Sequence, residues 1–171
     1  MTPPPGTLEA LIRATARQLG FVGVGFAQVG PARSMPVFDA WLRSGRAAEL
    51  LFLTRQRELR HDPRLLLPEA RSVICVAAAY PRHPHPGTGF AMYARGRDYH
   101  AVIRSRLKQL AEALRSRVPD LRTRICVDSA PLFEREWAVR AGLGWIGRQG
   151  QMISPTHGAT VLLGELLVNI P

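Results

Sequence analysis

Helical spacing of apolar residues marks four stretches of the chain. Leucine and isoleucine recur every three or four positions after Thr7, a residue suited to an N-cap, and the repeat stops at Gly20. A second stretch follows Ser34, which is also suited to cap a helix. The predicted helices cover residues 7–19, 36–44, 47–59 and 98–118.

Apolar runs without helical spacing predict the strands. The run 72–80 is almost wholly apolar, so we expect it in the centre of a sheet with both faces covered. In the run 21–27 glycine alternates with larger residues, which indicates close backbone approach on one face. Further strands are expected at 125–127 and in a hairpin that pairs 152–154 with 160–170.

The order of these elements predicts the fold class. Strands and helices alternate along the chain, with no internal repeat and no interior linker. This order favours an α/β (α+β) domain. We expect a central mixed sheet of about five strands covered by helices, in a single domain over residues 1–171.

The stretch 125–149 carries the densest set of candidate functional residues. Its apolar strand stops at the carboxylate of Asp128, and a short helix with an acidic first turn is predicted over 132–141. The following loop places three glycines around Trp145. An acid at a strand end facing a glycine-rich loop is a common layout for an α/β active site. A capped strand-helix turn followed by a tight loop explains the same pattern. The glycines are Gly142, Gly144 and Gly147.

Composition and charge favour a globular domain with an anionic partner. The 171 residues are 46% hydrophobic and 21% charged, which suits one domain with a sizeable core. Lysine and arginine number 23 against 13 acidic residues, a formal charge of +10, and the single lysine is Lys108. Arginine binds phosphates in a bidentate fork, so RNA or DNA is a candidate partner. A GC-rich genome produces the same arginine bias.

Cysteine and histidine usage gives no reason to expect a metal site. Cys75 and Cys126 each lie inside an apolar run, which indicates core packing in a reducing compartment. No closely spaced cysteine pair is present to hold zinc or an iron–sulfur cluster. His83 and His85 lie in a loop rich in proline, where solvated side chains are more common than metal ligands. No apolar run reaches membrane-spanning length and no signal-peptide core is present, so a cytoplasmic protein is expected.

Four features are candidates for chemistry: Arg60, the segment YARGRDYH at 93–100, Asp128 and the glycine loop. Each has a simpler structural explanation. Arg60 can pair with a helix end, Asp98 can cap the following helix, and Asp128 can cap the helix after it. The sequence contains no phosphate-binding P-loop, dinucleotide fingerprint, Ser-His-Asp set or paired carboxylates.

Taken in order, these segments resemble one family. YARGRDYH, VDSAPLFERE, RAGLGWIGRQ and LLGELLVNIP, with LRHDPRLLLPEARSVICVA upstream, are similar to the N-terminal half of epoxyqueuosine reductase. The resemblance covers about Leu19 to Pro171. It implies an α/β sandwich that binds cobalamin. It also implies an oxidoreductase of tRNA modification, which reduces the epoxide of epoxyqueuosine at the wobble position to give queuosine.

The resemblance also implies roles for individual residues. Asp128 matches the proton donor beside cofactor and substrate. Arg60, Gly147, Met152 and Leu163 match positions around the cobalamin. Opening an epoxide leaves an alkoxide that needs a proton, and a shielded carboxylic acid at a strand end can be tuned to supply it. The arginines are then expected to bind phosphates of the tRNA anticodon arm.

This sequence departs from the family in two places. The family's Gly-Lys-Asn is here Gly147-Arg148-Gln149, which keeps the charge and lengthens the amide. Family members continue into a ferredoxin-like module whose cysteines hold two [4Fe–4S] clusters, and this chain has no ligands for them. We therefore expect a truncated, monomeric cobalamin-binding region without its own electron supply.

Two other functions remain open. The first is a non-catalytic module that binds cobalamin or tRNA without turnover. The second is reductive dehalogenation by a relative of similar build. The segments YARGRDYH and VDSAP, together with the basic composition, argue against dehalogenation.

Overall fold

The computed structural model describes residues 6–80 and 89–171, which fold into helices on both faces of a sheet. The loop that contains His83 and His85, where the sequence gave no reason to expect a metal site, lies outside these residues. Three short 3-10 helices span Glu58–Arg60, Pro63–Leu65 and Met92–Ala94. The α-helices are α1 (Leu8–Gln18), α2 (Met35–Arg43), α3 (Leu51–Arg55), α4 (Tyr99–Arg115) and α5 (Glu134–Arg140). The strands are β1 (Gly23–Gln28), β2 (Ser72–Ala79), β3 (Thr123–Cys126), β4 (Trp145–Ile146), β5 (Met152–Ile153) and β6 (Val161–Val168).

The predicted α/β class is confirmed, but the sheet differs in two respects. Its order is β1-β2-β6-β3, so the described residues form four strands in this sheet rather than about five. Every neighbouring pair is antiparallel, so the expectation of a mixed sheet was wrong. The reason is that β6 inserts between β2 and β3, which run in the same direction and are joined through α4. Two parallel strands are thereby kept apart.

The predicted hairpin was also wrong. β5 pairs with β4 through Trp145↔Ile153 and Ile146↔Met152, and not with β6. A Cβ atom on Gly144 would lie 2.0 Å from the carbonyl oxygen of Ile153, so glycine is what lets these strands approach. β6 instead runs through the centre of the sheet, where its apolar side chains are buried between β2 and β3.

The helix predictions succeeded where capping was local. Thr7 accepts a hydrogen bond from the backbone N–H of Ala10 at 3.2 Å, and Gly20 follows α1 with φ +80°. α4 is confirmed, with Asp98 as its N-cap. The helix predicted over 47–59 was wrong in length, since only 51–55 is α-helical.

The N-terminus of α2 is capped from a distant element. The predicted cap, Ser34, makes no side-chain capping bond. Instead the carboxylate of Glu136, in α5, accepts the backbone N–H groups of Arg33 and Ser34 at 2.7 and 2.8 Å. A charged acceptor suits the positive end of the helix dipole, so α5 fixes the position of α2.

The sheet separates two apolar layers. α1 and α4 cover one face, where Ile103, Leu107 and Leu110 are almost completely buried. α5 covers the other face around Trp137. The expected close approach on β1 is found at Gly25, where a Cβ would lie 2.1 Å from the carbonyl oxygen of Ala141, just past α5. β2 is buried on both faces, as predicted.

Both cysteines are buried in the core, as the sequence predicted, and they lie in the layer beneath α5. Cys75 and Cys126 are free and fully buried, on β2 and β3. Burial raises the pKa of the Cys75 thiol well above its usual value and that of Cys126 to about 12. Both thiols therefore stay protonated at neutral pH.

Candidate active site

Asp128 lies two residues after the end of β3, in a backbone conformation that is uncommon for residues other than glycine. Its φ is +53°, and Ala48 is the other non-glycine residue with a positive φ in the described ranges. Such conformations cluster at functional sites because the surrounding structure must hold them in place. The carboxylate does not cap α5, whose N-cap position is Phe133. The side chain is 59% exposed, so the expected shielding from water is absent here.

His100 connects Asp128 to a second carboxylate. Its Nε2 lies 3.2 Å from Oδ2 of Asp128, and its Nδ1 lies 2.8 Å from Oδ1 of Asp98. The ring also stacks on Tyr99, with centroids 3.9 Å apart. The hydrogen bond to Asp98, followed by that to Asp128, raises the pKa of His100 above its ordinary value. The same contact lowers the pKa of Asp98.

Glu134 holds the backbone of Asp128 from the start of α5. One of its carboxylate oxygens accepts the backbone N–H of Asp128. Burial, and then the nearby charge of Asp128, raise the pKa of Glu134 to about 7. Arg104 holds the next part of the turn, because it donates to the Val127 carbonyl at 3.3 Å and to the Ser129 hydroxyl at 2.8 Å.

Arg60 is packed between aromatic rings instead of pairing with a helix end. Its guanidinium carbon lies 5.9 Å from the centroid of Phe38 and 6.0 Å from that of Phe133. It also donates to the Leu132 carbonyl at 3.4 Å, while its buried Nε has no hydrogen-bond partner among the described residues. Burial lowers the pKa of Arg60, and the charge of Glu134 opposes that effect.

A cavity of about 710 Å³ opens between α2 and α5 beside Arg60. Aromatic and aliphatic side chains form most of its wall, and several charged groups surround it. Residues 127–129 form a turn, the Asp128 turn. Glu134 lines the cavity and also contacts this turn, so the cavity and the turn are adjacent. The apolar wall consists of Val37, Phe38, Trp41, Leu53, Leu132, Phe133, Val139 and Ile146.

The remaining predicted site residues lie on the β4–β5 hairpin and on β6. Gly147 is in its turn, between the cavity-lining residues Ile146 and Gly150, and donates its N–H to the Gln151 carbonyl at 2.8 Å. Met152 is 3% exposed and packs in the layer beneath α5, where Leu163 is partly buried. Of the predicted site residues, Arg60 lines the cavity, Gly147 lies between two of its lining residues, and Asp128 is bonded to the cavity-lining Glu134. Met152 and Leu163 belong to the buried layer beneath α5.

Sequence reasoning missed two residues of this arrangement. His100 is the last residue of the segment YARGRDYH, but it was not predicted as a site residue. Its position two residues after Asp98 was the signal that could have indicated their contact. Glu134 was noted only as an acid in a first helical turn. No signal in the sequence pointed to its contact with Asp128, since that contact depends on how the turn folds back.

Comparisons with known proteins identify the family. The family model described as "Epoxyqueuosine reductase QueG, DUF1730" matches residues 60–129. An epoxyqueuosine reductase of a Synechococcus strain is 39% identical over 170 residues, which are 95% of this chain and 53% of that protein. The Escherichia coli enzyme is 38% identical over 173 residues, 96% of this chain and 46% of that protein. This chain is a relative of the epoxyqueuosine reductases. It spans about half the length of the curated relatives it matches.

Solved structures agree with this relationship. An epoxyqueuosine reductase from Streptococcus thermophilus superposes with a TM-score of 0.84 at 27% identity, over 95% of this chain and 46% of that one. One solved with an epoxyqueuosine-modified tRNA-Tyr stem loop gives 0.83 at 31%, over 95% and 45%. A Bacillus subtilis structure, described with its catalytic aspartate loop swung out of the active site, gives 0.81 at 31%, over 95% and 45%.

The dehalogenases share only the fold. A reductive dehalogenase described as B12-dependent has a TM-score of 0.63 at 18% identity, and this chain covers 20% of it. Among residues 6–80 and 89–171, no helix is long and apolar enough to cross a membrane. The same residues contain no group of three or more His, Cys, Asp or Glu side chains placed to hold a metal ion.

Proposed function

We propose that this chain is the cofactor- and substrate-binding part of a cobalamin-dependent reductase that converts epoxyqueuosine to queuosine in tRNA. The observation that carries the proposal is the Asp98–His100–Asp128 contact chain at a strand end, next to a cavity lined by Arg60 and aromatic rings. The relatives of this chain are named for the same reaction.

Asp128 is the proposed proton donor. When the epoxide carbon–oxygen bond opens, the resulting alkoxide takes a proton from the Asp128 carboxyl group. A substrate placed over Asp128 would exclude water from its exposed side chain. His100, held by Asp98, then restores the proton through its contact with Asp128.

The Asp128 turn is also proposed to move. The Bacillus subtilis relative is described with its catalytic aspartate loop swung out of the active site. The strained φ of Asp128 and the exposure of its carboxylate suit a turn with more than one position.

The residues around the cavity fit a large macrocycle with apolar faces and a polar edge. The Nε of Arg60 is buried without a partner in the described structure, so it is available to a polar edge of such a group. Arg60 and the hairpin turn at Gly147 would hold cobalamin, while Met152 of the same hairpin and Leu163 of β6 pack in the layer beneath α5. Bound cobalamin would supply the reducing electrons.

The chain's own residues do not fit the iron–sulfur clusters of the family. Its two cysteines are buried on separate strands, whereas each [4Fe–4S] cluster is held by four cysteine thiolates. The electrons are therefore proposed to come from a donor outside these 171 residues.

The anticodon arm of tRNA is the proposed partner. The charge of +10 is carried almost entirely by arginine, which suits phosphate contacts that position an RNA without reading its sequence. One solved relative contains an epoxyqueuosine-modified tRNA stem loop. A tRNA substrate also implies a cytoplasmic location, and we propose that the chain acts as a monomer.

Turnover with a chemical reductant tests this proposal. The purified chain, loaded with cobalamin and given epoxyqueuosine tRNA, should form queuosine that mass spectrometry of tRNA digests detects. Asp128→Asn should lower the rate by roughly 10²–10⁴-fold, the usual contribution of a positioned general acid. Asp120→Asn, outside the site, should act as wild type.

The second candidate function is a binding module without turnover, which the lack of cluster ligands favours. Saturable binding of cobalamin or tRNA with no queuosine formed under any reductant would support it and would overturn the catalytic proposal.

A further inference from the structure

One carboxylate joins the Asp128 turn to α5 through a backbone hydrogen bond, beside the bonds that Arg104 and His100 make to the same turn. Glu134 accepts the Asp128 N–H, and this contact joins the turn to the first residue of the helix. Asp128 itself sits in the left-handed region at φ +53°, which costs energy for a residue other than glycine. Weakening the Glu134 bond therefore removes the restraint on the α5 side of the turn, while the bonds from Arg104 and His100 remain.

Glu134 is placed where its charge is difficult to maintain. It is the first residue of α5, the helix that packs on β6, and burial disfavours its charged form. The fully buried Glu165 of β6 has no hydrogen-bond partner for either carboxylate oxygen in the described residues. The charged and titratable groups that interact with Glu134 are Arg60, Cys75, Tyr99, His100, Cys126, Asp128, Arg135 and Glu165.

We propose that Glu134 is a positioning residue that holds the Asp128 turn while its carboxylate is charged and releases the turn when it takes up a proton. This inference rests on the proposed function only in calling Asp128 catalytic. The carboxyl group of Glu134 lies outside the Asp98–His100–Asp128 contact chain. It would control the position of Asp128, the proposed proton donor.

The physical basis is the strength of the hydrogen bond. An N–H group bonded to a carboxylate is held about twice as strongly as one bonded to a neutral acceptor, so protonation weakens the contact. Burial brings the pKa of Glu134 to about 7, so this change falls near neutral pH. The charged, holding form dominates above that pH and the neutral, releasing form below it.

The backbone amide signal of Asp128 in ¹H–¹⁵N NMR tests this inference without cofactor or tRNA. In the full chain the amide proton should move downfield as pH rises from 5 to 9, with a midpoint near 7. Glu134→Gln should abolish that titration, because the amide side chain does not ionise. Retention of the titration in this variant, or a signal that does not change with pH in the wild type, would overturn the inference.

Two matched variants separate Glu134 from its neighbours. Glu136→Gln changes an acid in the same helical turn that bonds Arg33 and Ser34, so the Asp128 titration should persist. His100→Asn removes the other group that titrates near neutrality beside Asp128, and the titration should again persist. Loss of the titration in His100→Asn would assign it to His100 and contradict the inference.

Hydrogen exchange on the wild type covers the case in which Glu134→Gln does not fold. After correction for the intrinsic pH dependence, the Asp128 amide should exchange roughly tenfold faster at pH 5.5 than at pH 8.5. Equal corrected rates would contradict the inference. Because neither readout needs turnover, absence of queuosine formation would reject the proposed function and leave this inference standing.

Discussion

The two faces of the four-stranded sheet are covered by different helices and bury different kinds of side chain. Beneath α1 and α4 the layer is made of leucine, isoleucine, valine, alanine and phenylalanine. Beneath α5 the buried groups include two thiols, the carboxyl group of Glu165 and the unpartnered Nε1 of Trp137. Buried polar groups without partners are costly, so their concentration on one face indicates a role other than stability.

The candidate site lies at the edge of the layer beneath α5. Asp128 and Glu134 flank the N-terminal end of α5, and Arg60 packs beside the same helix. The opposite layer supplies a rigid base, because β2 and β6 belong to both layers. The wholly apolar layer thus lies on one face of the sheet, and the candidate site lies beside the other face.

Truncation in the α4 layer should produce the largest loss of stability. Leu107→Ala removes a side chain with no exposed surface and leaves a cavity, so the free energy of unfolding should fall by about 2–5 kcal/mol. Urea denaturation followed by circular dichroism measures the change. Leu50→Ala, at a leucine that is 49% exposed, should change it by less than about 0.5 kcal/mol. Equal effects would contradict the assignment of the core.

Replacing Glu165 with a neutral residue should raise the free energy of unfolding, by less than Leu107→Ala lowers it and by an amount that depends on pH. Burial raises its pKa well above the ordinary value of 4.5. The folded chain therefore keeps a proton that the unfolded chain releases, and stability falls as the pH rises from about 4.5 through the folded pKa. Glu165→Gln does not titrate, so it should be more stable than wild type at pH 8, by on the order of 1–3 kcal/mol.

Thermal melts at several pH values test this comparison. Wild type and Glu165→Gln should have nearly equal Tm values near pH 4. As the pH rises, the Tm of the variant should exceed that of wild type by a growing amount. Glu112→Gln, on the exposed face of α4, should show no such divergence. A wild-type chain that is the more stable one at pH 8 would mean that Glu165 has a partner in solution.

Local signals in the sequence predicted the elements, and long-range contacts decided their arrangement. Thr7 and Asp98 cap helices through hydrogen bonds two or three residues away, so those helix starts could be predicted. The insertion of β6 between β2 and β3 depends on contacts far apart in the chain. The same reason explains why Glu136, and not Ser34, caps α2.

The site was predictable only in part. Asp128 and Arg60 were found from motif order, but their surroundings were not. The exposure of Asp128, its φ of +53° and the bond from its N–H to Glu134 follow from a turn that folds back on α5. The aromatic packing of Arg60 joins α2, a 3-10 helix and the approach to α5, which no local pattern encodes.

A titration of the chain with cobalamin, followed by visible absorbance, tests the central claim most directly. The account predicts saturable binding with a changed cobalt spectrum, weakened at least tenfold by Arg60→Ala. It predicts no change with Arg17→Ala, at an exposed position on α1. A folded chain that leaves the spectrum unchanged, or an Arg60→Ala variant that binds as tightly as wild type, would contradict it.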